Sequence, residues 1–188
     1  MNATEMYEHV ERIANLVRTC VRKTGLTHGL QPVQIEALHY LDRCNRYSDT
    51  PVAVAEFLGL TKGTVSQTLG VLTTNGYVER HIDNHDRRVV HLTLTREGKQ
   101  VLDQSIPPAV LRSALEMLPH ADRSQIEGSL QHLLTSLQQA NGMKTFGACK
   151  SCLHHQLTDE GAHQCGLTRE TLSQVDGEKI CREHQPPE

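Results

Sequence analysis

The sequence predicts a mainly helical fold that carries one small β-hairpin and ends in a short cysteine-rich tail. Apolar residues recur at helical spacing through most of residues 1–141. Hydrophobic residues make up 37% of the chain but aromatic residues only 3%, which favours helices packed through Leu, Val and Ala over a β-sandwich or barrel. Four of the six cysteines lie within residues 142–188, where the periodicity ends. We therefore expect a helical domain over residues 1–141 and a cysteine-rich extension over residues 142–188.

Two narrow apolar stripes, one near each end of the helical domain, are expected to form a dimer interface. Their members recur at alternating steps of four and three, which is typical of a helix that packs on a partner helix. Core helices within a single subunit are the alternative. Asp122 and Gln125 predict that the second of these helices starts with a capping box. The stripes are Met6, Val10, Ile13, Val17 and Cys20, and Ile126, Leu130, Leu133, Leu134 and Leu137.

Local signals between the stripes predict two helices joined by a tight turn. Pro32 suits the first position of a preceding helix, and a short helix is expected over residues 51–58. Gly59 supplies the backbone freedom that a tight turn needs, and Thr61 is expected to cap the next helix. This order is typical of a helix-turn-helix.

A β-hairpin is predicted directly after the helix pair. Its strands are expected over residues 77–80 and 89–94, and Thr95 is expected to cap a further helix. Pro107 and Pro108 must interrupt that helix, because proline has no backbone N–H to donate. A helix-turn-helix followed by a hairpin is a winged helix-turn-helix, in which the hairpin is the wing.

Polar side chains on the second helix of the pair and on the hairpin tip are candidates for contacts with DNA. Small hydrogen-bonding groups on a helix can reach base edges in the major groove. Arginines on a protruding hairpin suit a minor groove, whose negative potential attracts guanidinium groups. Asp86 would repel phosphate, so we interpret it as the residue that orients a neighbouring arginine. A solvated charged turn is the alternative for the tip. The candidate contacts are Lys62, Thr64, Ser66, Gln67, Thr68, Arg87 and Arg88.

From about residue 4 to residue 140 the sequence resembles the MarR-type regulators. This resemblance implies a homodimer built from the terminal helices, acting as a repressor on a pseudo-palindromic operator. It also implies that Asp86 holds a wing arginine while Arg87 or Arg88 enters a minor groove. Many members release DNA when they bind a phenolic ligand or when a thiol is oxidised, but the tail departs from the family pattern. The matching stretches are residues 31–38, 58–66, 72–78, 86–88 and 92–98.

The cysteine spacing of the tail predicts a metal centre. Cys149 and Cys152 form a CxxC motif, Cys165 follows after 12 intervening residues, and Cys181 follows after another 15. An iron–sulfur cluster would use these four cysteines and could sense redox or iron status. A structural zinc ion would instead use Cys149, Cys152, Cys181 and His184. We favour the cluster, which could alter the spacing of the DNA-binding lobes because the tail follows the second dimerisation helix.

Other function classes are less compatible with the sequence. The histidines His154, His155 and His163 are fallback metal ligands, and a metal-free thiol switch is a further alternative. A thiol oxidoreductase is a remote alternative, because the CxxC motif lacks the βαβ context of thioredoxins; we expect no enzyme.

No apolar run is long enough to span a membrane, so we expect a cytoplasmic protein. The net charge is only −3, so a DNA-binding surface must arise from local clustering.

Overall fold

The computed structural model describes residues 2–158 and 161–187 and is mainly helical. The helices are α1 (Ala3–Thr27), α2 (Pro32–Arg43), α3 (Pro51–Leu58), α4 (Lys62–Thr74), α5 (Arg96–Ser105), α6 (Ala109–Glu116), α7 (His120–Ala140) and α8 (Gln174–Glu178). The strands are β1 (Val78–Ile82), β2 (Val90–Leu94), β3 (His155–Leu157), β4 (His163–Cys165) and β5 (Thr171–Leu172). Within the described ranges, none of the helices combines the length and the apolar character needed to cross a bilayer.

Most helix boundaries follow from the local signals in the sequence. Thr95 accepts a hydrogen bond from the backbone of the first turn of α5, as predicted, and Pro32 occupies the start of α2. The interruption at Pro107 is also observed, since α5 ends at Ser105 and α6 begins at Ala109. The predicted capping box at Asp122 is wrong. Helix α7 begins at His120, directly after a proline, which leaves Asp122 inside the first turn.

The hydrophobic core lies between α2, α3, α4, α5 and the hairpin formed by β1 and β2. Strands β1 and β2 pair antiparallel, with Val78 opposite Leu94 and Ile82 opposite Val90. Two residues of the tail, Phe146 and Ile180, belong to the same core. The largest apolar side chains in it, each no more than 2% exposed, are Leu30, Ile35, Leu38, Tyr40, Val54, Val65, Leu69, Leu72, Val78, Leu92 and Leu102. The tail is therefore packed onto the part of the chain formed by α2, α3, α4, α5 and the hairpin, which we call the winged lobe.

The tail has more regular structure than its composition predicts. Strands β3, β4 and β5 form an antiparallel sheet, and a single 3₁₀ turn spans Cys149–Ser151. Helix α8 begins with a capping box between Ser173 and Asp176. Ile180 pairs with Cys44 on one side and with Ala148 on the other. The pairing with Cys44 connects the tail to the end of α2.

Helices α1 and α7 present apolar faces that the rest of the chain leaves exposed. No residue of α7 is buried, and Ile13 on α1 is 55% exposed. Val17, further along the α1 stripe, is partly buried against the core, so this stripe turns inward toward its C-terminal end. The exposed members of the two stripes are Met6, Val10, Ile13, Ile126, Leu130, Leu134 and Leu137.

Candidate nucleic-acid interface and cysteine cluster

Three short-range interactions shape the α3–α4 unit. Thr50 accepts a hydrogen bond from the backbone N–H of Ala53 at the start of α3. Gly59, which ends α3, has a φ of +64°, a conformation that an L side chain would strain. The hydroxyl of Thr61 accepts from the backbone N–H of Thr64 at 3.2 Å and begins α4. The helix-turn-helix is thus built from interactions that lie within a few residues of one another.

The outer face of α4 carries most of the side chains that were predicted to contact DNA. Lys62, Thr64, Ser66 and Gln67 are exposed. Thr68 was predicted to face outward as well, and that placement is wrong because its side chain is only 5% exposed. One residue further along the helix turns the side chain by about 100°, toward the side of α4 that carries the buried core residues.

The wing tip holds one arginine in a fixed orientation. Arg88 donates from Nε to Asp86 Oδ1 at 2.9 Å and from Nη2 to Asp86 Oδ2 at 2.8 Å, in the bidentate geometry typical of arginine and carboxylate. The Arg88 side chain remains 91% exposed. This pair lowers the pKa of the Asp86 carboxyl. Arg87 is also exposed, so both arginines are available at the end of the hairpin.

A histidine at the base of the wing connects it to the loop between α2 and α3. His91 on β2 lies between Asp49 and Asp83, with its Nδ1 hydrogen-bonded to Asp49 and its Nε2 3.2 Å from Asp83. The bond to Asp49 raises the pKa of His91, whereas burial raises the pKa of the Asp49 carboxyl. Asp83 in turn accepts from two backbone N–H groups of the wing tip, those of His85 and Asp86. Sequence reasoning missed this network because Asp49 and His91 are 42 positions apart in the chain.

The four cysteines of the tail line one small cavity. Cys149 lies on the 3₁₀ turn, Cys152 directly follows it, Cys165 ends β4, and Cys181 follows Ile180. The cavity is also lined by Asn45 and Tyr47 from the helical lobe and by His154 and His155. All six cysteines of the chain are free thiols.

Burial and the neighbouring thiols determine the electrostatic setting of Cys149. Burial, together with the neighbouring Cys181, Cys165 and Cys152 thiols, raises the pKa of Cys149 to about 11. A reactive thiol requires the opposite shift, so the raised pKa does not identify Cys149 as a nucleophile. Across residues 2–158 and 161–187, no three His, Cys, Asp or Glu side chains are grouped closely enough for a single metal ion. The four thiols nevertheless share the cavity, and a four-thiolate centre is chemically compatible with this donor set.

His184, the alternative zinc ligand, does not line the cavity. Its Nδ1 is 2.6 Å from the hydroxyl of Thr145, and its Nε2 is 3.1 Å from the hydroxyl of Ser151. The ring lies against Gly147, where an added Cβ would be only 2.5 Å away. Both ring nitrogens are therefore engaged in structural hydrogen bonds.

The tail is anchored to the helix-turn-helix by an ion pair and an aromatic cluster. Arg182 donates two hydrogen bonds to Glu56 of α3, at 2.6 and 2.7 Å, and these lower the pKa of Glu56. The ring of Phe146 packs edge-on against Phe57 of α3, with centroids 5.2 Å apart, and against Tyr40 of α2 at 6.0 Å. The cysteine cluster is thus held against the first helix of the helix-turn-helix.

Comparison with known sequences places these features in a family context. The profile of the MarR family matches residues 28–89. The chain is 30% identical over 120 residues to YkoM, an uncharacterized HTH-type transcriptional regulator of Bacillus subtilis; the match covers 57% of this chain and 75% of that protein. It is 27% identical over 113 residues to the transcriptional repressor MprA of Escherichia coli, which covers 59% of this chain and 64% of the repressor. The chain therefore spans less than two thirds of the Escherichia coli relative.

Solved structures show the same fold. A MarR transcriptional regulator from Methanosarcina mazei superposes with a TM-score of 0.63 at 19% identity, covering 73% of this chain and 99% of that chain. The S. aureus MepR–DNA complex superposes with a TM-score of 0.58 at 20% identity, covering 72% of this chain and 98% of that one. At such identities the likeness concerns the fold alone.

Proposed function

Because the chain belongs to the MarR family of winged helix transcriptional regulators, we propose that it controls transcription by binding double-stranded DNA. The observation that carries this proposal is the exposed polar face of α4 on the same lobe as a wing tipped with arginines. The Escherichia coli relative is named a transcriptional repressor, and the S. aureus structural neighbour is a complex with DNA. We accordingly propose that this chain represses transcription.

The geometry supports different roles for α4 and for the wing in binding DNA. Ser66 and Gln67 are exposed on α4 and can hydrogen-bond to base edges in a major groove, where each base pair presents a distinct pattern. Arg88 would enter the adjacent minor groove with its guanidinium already oriented by Asp86. Such preorganisation reduces the side-chain entropy lost on binding. We propose that Lys62 and Thr64, at the exposed N-terminal end of α4, contact phosphate.

The exposed apolar faces of α1 and α7 support a homodimer. A contiguous apolar surface of this kind is costly in water, and a second copy of the chain would bury it. A two-fold dimer would present two copies of α4 and would therefore read a pseudo-palindromic operator.

The test of this function is selective DNA binding and its dependence on salt. Duplexes enriched from a random pool by the purified chain serve as ligands, and their affinity is measured by fluorescence anisotropy over a range of KCl concentrations. Arg88→Ala should reduce the slope of log K against log [salt] by about 0.9 for each phosphate-level charge lost. Arg123→Ala, which removes an exposed arginine from α7, is the matched control and should leave the slope unchanged. Failure to enrich any duplex would refute the proposal.

We further propose that the tail holds a metal centre ligated by Cys149, Cys152, Cys165 and Cys181. The shared cavity supports a four-cysteine set, and the engaged ring of His184 favours it over the set with one histidine. One CxxC motif with two dispersed cysteines favours an iron–sulfur cluster that senses redox or iron status, and a structural zinc ion is the alternative.

The contacts of the tail suggest how such a centre would affect DNA binding. Metal coordination supplies folding energy to a segment with few apolar residues, so loss of the metal would loosen the tail. Ile180 exchanges backbone hydrogen bonds with Arg43 and Asn45, and Arg182 holds Glu56 of α3. A loosened tail would thus release the α2–α3 connection and α3, against which α4 is packed. The metal centre would thus affect DNA binding through the winged lobe of the same subunit. The sequence suggested instead that it acts through the second dimerisation helix.

Metal analysis of the full chain, purified without oxygen, tests this proposal. We expect near-stoichiometric iron and sulfide with visible absorbance, whereas a colourless zinc protein would support the alternative centre. Cys165→Ser should abolish the centre, and His184→Ala should leave it in place. Absence of both metals from the wild-type chain would refute the metal centre and favour a bare thiol switch.

A second candidate signal is a small apolar or phenolic ligand. A cavity of about 560 Å³ lies between α3, α7 and the start of the tail, and its volume falls within the range of about 300–1,000 Å³ typical of ligand pockets. Its apolar lining includes Phe57, Met143 and Phe146, together with Leu134 and Leu137 of the α7 stripe, so a partner subunit would border this cavity in the proposed dimer. Salicylate added to the protein–DNA complex would test it by releasing the duplex.

A further inference from the structure

Asn45 lies in the winged lobe but is buried next to the cysteines of the tail. It follows Cys44 at the end of α2, is only 1% exposed, and lines the cavity formed by the four cysteines of the tail. Its amide nitrogen Nδ2 is fully buried and has no hydrogen-bond partner among the described residues. Because a buried donor without an acceptor is costly, such a group needs an explanation.

The orientation of the Asn45 amide is determined by its neighbours. Its Oδ1 accepts from the backbone N–H of Tyr47 at 3.2 Å and from the hydroxyl of Ser48 at 2.7 Å. The Ser48 hydroxyl itself accepts from the backbone N–H of Arg182 at 2.8 Å, so its proton is directed to Asn45. Exchanging the amide oxygen and nitrogen would place the NH2 group against the backbone N–H of Tyr47, which can only donate. The unpartnered atom is therefore Nδ2.

We propose that Asn45 Nδ2 donates a hydrogen bond to a sulfur atom of the metal centre in the tail. This inference rests on the proposed four-cysteine centre. Thiolates and inorganic sulfides in such centres are negatively charged acceptors, and hydrogen bonds to them tune both metal retention and reduction potential. One sulfur already has a donor of this kind, because the backbone N–H of Gln185 is 3.5 Å from Cys152 Sγ. Asn45 would supply a second donor, from the connection between α2 and α3.

This hydrogen bond would connect the metal centre of the tail directly to the winged lobe. All four cysteines belong to the tail, whereas Asn45 belongs to the connection between α2 and α3. The same side chain holds the backbone of Tyr47 and the hydroxyl of Ser48, just before the start of α3. A change in the charge on the sulfur atoms would act on the amide and, through it, on this loop. Asn45 is a positioning residue in this scheme and is not a metal ligand.

The test compares variants that lack Nδ2 with one that disturbs the surrounding hydrogen bonds but keeps Nδ2. Asn45→Asp keeps the shape and the accepting oxygen but has no N–H, and Asn45→Ala removes the donor without adding charge. Ser48→Ala is the matched control, since it removes both the hydroxyl that donates to Asn45 Oδ1 and the acceptor of the Arg182 backbone N–H beside Cys181, but leaves Asn45 Nδ2 in place. Each full-length chain is purified without oxygen and analysed for iron, zinc and sulfide. The rate of metal release to excess EDTA is then measured.

We expect both Asn45 variants to lose metal about 10- to 100-fold faster than the wild type, as is typical when a partner of a metal ligand is removed. Ser48→Ala, which keeps Nδ2, should release metal more slowly than either Asn45 variant. Equal release from Ser48→Ala and the Asn45 variants would indicate a purely structural role and overturn the inference, as would wild-type retention in Asn45→Ala. A wild-type chain without metal would overturn both the centre and this inference, whereas a metal-loaded chain with insensitive Asn45 variants would overturn the inference alone.

Discussion

Replacing Phe146 with alanine should destabilise the whole winged lobe, although Phe146 lies in the tail. The ring is only 7% exposed and packs edge-on against Phe57 and Tyr40. Truncation of a buried phenylalanine costs about 3–5 kcal/mol, of which each lost aromatic pair accounts for about 0.5–1.5 kcal/mol. We expect a loss of about 3–4 kcal/mol in the free energy of unfolding, a large fraction of the roughly 5–15 kcal/mol typical of a folded domain.

Urea unfolding, followed by circular dichroism at one fixed protein concentration, measures this loss. Leu157→Ala is the matched control within the tail, because Leu157 on β3 is 66% exposed. The control should change stability by less than about 0.5 kcal/mol. A cost below about 1 kcal/mol for Phe146→Ala would contradict the reasoning, since surface substitutions fall in that range. A separate early transition of the tail, with the lobe unfolding at the wild-type midpoint, would also contradict it, because the shared core requires the two to unfold together.

Three further predictions concern the dimer, the reading surface and the base of the wing. Ile13→Glu and Leu130→Glu should give monomers or unfolded chains with little DNA affinity, and a folded, fully binding monomer in sedimentation would oppose the dimer. Gln67→Ala should change base preference more than salt dependence, because it removes a neutral side chain. An unchanged preference among the selected duplexes would contradict the proposal that the outer face of α4 contacts base edges. The raised pKa of His91 means that the imidazolium stabilises the folded state below its usual pKa of about 6.5, a contribution lost as pH rises through the higher native value. The free energy of unfolding of the wild type should therefore decline above about pH 6.5, and His91→Gln should lack this decline. A wild-type urea midpoint that does not change over that pH range would contradict the prediction.

Local signals in the sequence were sufficient for the order of elements in the winged lobe. Thr61 and Thr95 cap helices through groups three residues away, and Gly59 ends α3 with a single positive φ. Such interactions depend on immediate neighbours, so residue type and spacing predict them. The pairing of Asp86 with Arg88, two residues apart, is of the same kind. The cysteine spacing likewise predicted that the four cysteines of the tail lie together, and they line one cavity.

Only the tertiary structure decided where the tail lies and which side chains surround its cysteines. Arg182 and Glu56 are 126 positions apart, and no periodicity in the sequence predicts such a pair. Thr68 looked equivalent to Gln67, yet the packing of α4 buries one and exposes the other. Asn45 carried no motif at all. Its position beside the cysteines follows from the packing of Phe146 and Ile180 in the lobe's core, and that packing depends on the combined burial of residues distant in sequence.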